Sequence, residues 1–229
     1  MQSYSYLLID IGCILIPFIA SFYPKHAFYK EWKPFFLANF LVAIFFLVWD
    51  ADFTLNKIWG FNPDYLTGLY VFNLPIEEIL FFVSIPYACV FTYFALKYLV
   101  KNNPLMRYHK ILTIILIVFL LIVGLFSLDK WYTSVTFLLT AAYLIFRLIR
   151  GKDLSYHYLA FFIILPFFFV SNGILTGSFL ESPIVWYNDE ENLGIRMFTI
   201  PVEDTFYGML LILMNIDLYE FFRKKFLKD

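Results

Sequence analysis

Leu74-Pro75-Ile76-Glu77-Glu78 opens a mostly apolar run that continues to Leu99, and Ile200-Pro201-Val202-Glu203-Asp204 opens another. Each places a proline and two adjacent acids at the mouth of a long apolar helix. Proline at the first helical position and an acid at the third make an ordinary helix start. The ring lacks only an N–H that the first turn leaves unused, and the macrodipole favours negative charge there. One copy needs no further explanation. Two copies in one setting, in a chain with few charges, point to a duplicated unit that builds one acidic site from two halves. Ionisable residues at membrane depth are functional candidates by default.

The surrounding sequence sets the solvent. The 229 residues are 62% hydrophobic and 23% aromatic but only 15% charged, a balance that belongs to membrane proteins. The apolar runs approach the roughly 20 residues that cross ~30 Å of hydrocarbon. They lack the alternation of barrel strands, so helices are the structure that satisfies their backbone in lipid. Seven spans are expected, at 4–22, 34–50, 74–99, 108–128, 131–146, 157–175 and 200–222. No basic residue precedes the first run, so it reads as a retained span rather than a cleaved leader. Cys13 and Cys89 lie inside apolar stretches and read as small packing residues, not a disulfide. A formal net charge of −1 gives no reason to expect a nucleic-acid partner.

Charge placement orients the spans. Lys25, Lys30, Lys33, Lys97, Lys101, Arg107, Lys110, Arg147, Arg150, Lys152, Arg223, Lys224, Lys225 and Lys228 fall at one end, against Lys57, Lys130 and Arg196 at the other. The expectation is a cytoplasmic C-terminus and an outer N-terminus, in an inner or plasma membrane. The acids run the opposite way. Asp50, Asp52, Asp64, Glu77, Glu78, Asp129, Glu181, Asp189, Glu190, Glu191, Glu203 and Asp204 fall toward the outer face.

A constant offset of 126 pairs Pro75 with Pro201, Glu77 with Glu203, Glu78 with Asp204, Phe81 with Tyr207, Tyr93 with Tyr219 and Lys97 with Arg223. Trp59-Gly60-Phe61-Asn62 resembles Trp186-Tyr187-Asn188 with a small length difference. Spans one to three thus correspond to spans five to seven. The organisation expected is a first repeat over 1–100, a linker helix over 101–130 and a second repeat over 131–229. An odd linker span returns the chain to its starting side, so the repeats run in parallel and both acidic motifs open on one face.

Adjacent helical residues point about 100° apart, so the two members of an acidic pair cannot face one spot. Burial and a like-charged neighbour favour the protonated form of a carboxyl and the helix N-terminus favours the ionised form, a competition that can yield an acid and a base in one site. Asp50 and Asn172 are expected to close the corresponding second and sixth spans at the border of the same cavity. Trp59, Phe81, Phe82, Trp186 and Tyr207 are candidates to line an apolar slot, where ring faces stabilise cations. Asp217 reads as a partner of local basic residues, and Asp10 as a polar contact between helices.

Several chemistries lack their residues. There is no GxGxxG. His26, His109 and His157 lie at the basic end, away from the acids, so neither a histidine metal site nor another cofactor is expected. Span seven has no interior lysine for a retinal Schiff base. The acidic face has too few cations for diphosphate chemistry, and Phe82 stands where glutamate-type intramembrane proteases place an arginine.

Pro-x-Glu-[Glu/Asp] motifs in two three-span halves resemble the lycopene cyclase domain family. The resemblance covers nearly the whole chain and is most specific at 74–82, at 200–207, at Asn172-Gly173-Ile174-Leu175-Thr176-Gly177, and at Tyr219-Glu220. It implies an all-α polytopic membrane enzyme, the fused single-chain form without a phytoene synthase part, acting on lycopene or another acyclic carotenoid in the bilayer. The implied reaction closes acyclic ψ-ends to β-ionone rings by protonation, ring closure and deprotonation, with no net redox step. On that resemblance Glu77 and Glu203 are expected as the core acid–base pair, supported by Glu78 and Asp204. The alternatives are a related carotenoid hydratase, in which water captures the cation, and a carotenoid-binding or proton-coupled transport protein.

Overall fold

The computed structural model describes residues 2–226; Lys228, counted above among the cations, lies outside them. Among the described residues, seven α-helices carry the fold: α1 (Ser5–Ala20), α2 (Trp32–Leu55), α3 (Ile76–Leu99), α4 (His109–Phe126), α5 (Trp131–Ile149), α6 (Ser155–Leu175) and α7 (Val202–Phe226). All seven are long and apolar enough to cross a bilayer, which makes this an integral membrane protein. The expected boundaries hold to within a few residues except at α2. That helix does not stop at Asp50 but runs five residues further, with Asp50 buried on its inner side. Apolar side chains such as Ile111, Ile115 and Ile122 of α4 lie exposed on the outside, as a lipid solvent permits.

The two repeats interlock. Within each half the first helix packs on the third, α1 on α3 and α5 on α7. Between halves, α2 lies along α7 and α6 along α3. α4 lies against α5, where Gly124 lets Leu138 approach its Cα.

Six short strands sit at the acidic ends of the helices. β2 (Tyr70–Val71) and β3 (Leu74–Pro75) form a hairpin leading into α3, and β5 (Arg196–Met197) and β6 (Ile200–Pro201) form its counterpart before α7. The match extends to dihedral angles. Gly68 and Gly194 have φ of 83° and 69°, and Phe72 and Phe198 have φ of 56° and 58°. β1 (Trp59–Phe61) and β4 (Val185–Tyr187) pair antiparallel in the register Trp59–Tyr187, Gly60–Trp186 and Phe61–Val185. At the offset of 126 these two strands are repeat mates, so the ribbon is symmetric about the Gly60–Trp186 pair. This corrects the shifted match of Trp59 with Trp186: the aligned segments are Trp59-Gly60-Phe61 and Val185-Trp186-Tyr187. The indole of Trp186 lies directly over Gly60, where a Cβ would come within 2.3 Å of it and displace the ring.

The acids buried at the basic end are paired, as low-dielectric burial demands. Glu31 accepts from Tyr219 and from Nε of Arg223 at 2.8 Å, and Lys97 meets Glu220 at 2.8 Å. Asp217 accepts from Tyr143, from Arg147 at 2.7 Å and from His157 at 2.9 Å, the local pairing expected of it. Asp10 behaves otherwise. It is buried, and neither carboxyl oxygen has a hydrogen-bond partner among the described residues, so it is not the polar helix contact expected.

Candidate active site

The hairpins fix how the acids point. Pro75 is the N-cap of α3, with extended dihedrals (φ −66°, ψ 151°), rather than its first helical residue. The hairpin is tied to the helix by Ile76 N–H to Leu69 O at 2.9 Å, and its counterpart by Val202 N–H to Ile195 O at 3.0 Å. Each helix therefore starts at the same phase. The first acid of each pair turns back into its own loop, and the second turns into the molecule.

Glu77 accepts the backbone N–H of Thr67 at 2.7 Å, and Glu203 accepts that of Leu193 at 2.8 Å together with the hydroxyl of Thr133 at 2.6 Å. Both are fully buried, and one oxygen of each lacks a partner among the described residues. These carboxylates pin the glycine-containing loops to the helix N-termini. Neither lines the central cavity, which Glu78 and Asp204 do.

That cavity has a volume of about 730 Å³ and lies between the halves. Glu78 accepts a hydrogen bond from Tyr6, and Asp204 accepts one from Tyr132. Tyr6 and Tyr132 are themselves repeat mates, so the two acid–tyrosine pairs are copies of one arrangement. The copies then diverge. Asp204 also accepts from Asn172 Nδ2 at 2.7 Å and from Tyr187 at 2.9 Å, whereas Glu78 has no such additional donors among the described residues. Burial first, and then the charge of Asp204 and the bond to it, hold the Tyr187 hydroxyl well above its ordinary pKa. It remains a donor throughout the physiological range.

Trp59, Phe81 and Tyr207 line the cavity, with Asp50 and Asn172. Trp59 lies 5.0 Å from Tyr132 and 6.0 Å from Tyr207 between ring centroids, and Tyr132 stacks on Tyr187 at 5.7 Å. One oxygen of Asp50 and the hydroxyl of Tyr207 have no partner among the described residues. Two expected residues lie elsewhere. Phe82 is buried against Phe46 in the neighbouring core, and Trp186 covers Gly60 on the outer side of the ribbon. Tyr6, Tyr132 and Tyr187 were missed by sequence reasoning. The first two carry a findable signal, because they stand 126 apart like the acids they serve.

An integral membrane protein of two parallel three-helix repeats, with repeat-related carboxyls in one apolar cavity, defines the class. The sequence profile described as lycopene cyclase matches residues 3–96 and 129–222, most of the chain and again at the spacing of the repeat. The chain belongs to the lycopene cyclase family. It is 34% identical over 72 residues to a bifunctional lycopene cyclase/phytoene synthase of Neurospora crassa, covering 30% of this chain and 11% of that protein. It is also 34% identical over 61 residues to a protein of the same description from Aspergillus niger, covering 27% and 10%. The matched segment thus spans about a tenth of the length of these curated relatives. No solved structure matches the chain.

Proposed function

We propose that this chain closes the acyclic ψ-ends of lycopene to β-ionone rings, giving γ-carotene and then β-carotene. The observation that carries the reading is the pair Glu78 and Asp204, two buried carboxyls presented by equivalent helices to one apolar, aromatic-walled cavity. Membership of the family and the lycopene cyclase activity named for the relatives support the substrate class.

Glu78 is proposed as the acid and Asp204 as the base. Hydrogen bonds to a carboxylate stabilise its charge, and Asp204 has three donors where Glu78 has Tyr6. Glu78 adds a proton across the terminal double bond, leaving a cation that closes onto the 5,6 double bond. Asp204 removes a ring proton, so product and substrate are isomers and no electrons are exchanged. General acid–base assistance of this kind contributes roughly 10²–10⁴-fold. The faces of Trp59 and Tyr207 lie along the cavity to steady the cation, each worth about 0.5–2 kcal/mol. The ribbon of β1 and β4 covers the acidic end and keeps water from capturing the cation.

The units 1–100, 101–130 and 131–229 are proposed as repeat, linker and repeat. The cations gathered at one end of the bundle support a cytoplasmic C-terminus and an outer active site, in an inner or plasma membrane.

Expression in cells that accumulate lycopene tests the reading, with pigments resolved by chromatography and mass. γ-Carotene or β-carotene at unchanged mass is the expected product. A gain of one water per end indicates hydration instead, and unaltered lycopene beside membrane-inserted protein overturns the proposal.

A further inference from the structure

The cavity is not closed on every side, and the residues at its opening identify the side. Its acidic end is capped by β1 and β4, where Trp59 is only 4% exposed although it faces the cavity. Between α1 and α6 the situation reverses. Ile16 of α1 and Phe167 and Val170 of α6 line the cavity and are also 75%, 73% and 65% exposed. A side chain that belongs to both a cavity wall and the outer surface marks a mouth. Gly12 sits in that mouth, and a Cβ on it would meet nothing within 4 Å.

The gap has a counterpart that is filled. By the repeat, the space between α1, α3 and α6 corresponds to that between α5, α7 and α2. There Phe46, Trp49 and Phe53 of α2 pack against Tyr132 and Leu211 in a continuous core. Ala88 and Cys89 on the cavity floor become Met214 and Asn215, and Asn215 is bonded to Asn39 at 3.2 Å. The hollow side is also the proline side. Pro17, Pro86 and Pro166 lie inside α1, α3 and α6. Each removes a helical hydrogen bond and favours a bend. The carbonyl of Phe82, freed by Pro86, is taken by Asn39 at 2.8 Å.

We infer that the carotenoid reaches the carboxyls sideways from the bilayer, one end at a time, through the portal between α1 and α6 over Gly12. The inference rests on the cyclase reading and adds its route. A long apolar polyene is dissolved in the hydrocarbon and would pay to cross water, and the portal lies on the lipid-facing flank of the bundle. One mouth and one carboxyl-lined cavity serve two substrate ends, so the singly cyclised product must withdraw and return reversed.

Gly12→Trp and Val170→Trp place an indole in the mouth from opposite walls, and Ile115→Trp on the lipid face of α4 is the control. All three are expressed in lycopene-accumulating cells, with membrane protein quantified beside pigment. The portal predicts that each mouth variant loses at least about tenfold of its conversion per protein, equivalent to ~1.4 kcal/mol of steric penalty, while Ile115→Trp keeps it. Val170 is already largely exposed, so its variant gives a reading even if Gly12→Trp does not accumulate. Wild-type conversion in the mouth variants overturns the portal and leaves the cyclase reading standing. No conversion by the wild-type chain overturns both.

Discussion

The two halves of this molecule share a backbone plan and differ in what they do with it. In each half a hairpin sets the phase of a helix, the first acid clamps the hairpin loop, and the second acid meets a tyrosine from the first helix of its own half. Around that common frame the space between α1, α3 and α6 is hollow, and its counterpart between α5, α7 and α2 is packed. Both inward acids line the cavity, but Glu78 has one tyrosine donor whereas Asp204 is held by Tyr132, Asn172 and Tyr187. The difference teaches that duplication supplied two equivalent carboxyls and divergence of their neighbours made them unequal. An acid and a base in one site must be unequal.

The severest way to break that comparison is to neutralise the inward-facing members. Glu78→Gln and Asp204→Asn are each expected to cost more than ~10²-fold in carotenoid conversion, the general acid–base contribution, with protein still in the membrane. Pigment analysis normalised to protein checks this, and appreciable conversion by either variant returns that residue to a structural role. A milder change makes the halves more alike. Asn172→Ala or Tyr187→Phe leaves Asp204 with fewer donors, and each is expected to slow conversion by roughly ten- to a hundredfold, since a hydrogen bond to a charged group contributes ~1.5–3 kcal/mol.

The outward acids are expected to answer a different assay. Glu77→Gln and Glu203→Gln lose a charge-assisted bond to the loop, so thermal stability in detergent should fall by an amount corresponding to ~1.5–3 kcal/mol. Conversion per folded molecule should stay within a few-fold of wild type. The smallest effect belongs to the hairpin tips. Phe72 and Phe198 adopt positive φ and are almost wholly exposed. Phe72→Gly is expected to raise stability by ~1 kcal/mol by removing left-handed strain, read as a higher melting temperature. A drop there would mean that the ring has a contact in the bilayer.

The span count, the repeat and its constant offset were legible because hydrophobic length and paired motifs are local signals. The end of α2 was not, because Asp50 and Asp52 look like a stop when the cavity that shelters Asp50 is unseen. The acidic pairs were legible in the sequence, but which member of each faces the cavity was not. Which acid points inward depends on whether Pro75 is the cap or the first helical residue, and one position rotates a helix by about 100°. Tyr6 and Tyr132 were hidden among 17 tyrosines until the acids they touch gave the offset a meaning. The ribbon was misaligned because matching Trp59 to Trp186 favoured residue identity over the spacing of 126.

Conversion of lycopene in membranes suspended in deuterium oxide tests the central claim most directly. A carboxyl that gives one proton to each end, and a carboxylate that removes a different one, predict isomeric rings carrying one deuterium each: one mass unit in γ-carotene and two in β-carotene. Rings formed without deuterium would contradict proton-initiated closure between Glu78 and Asp204.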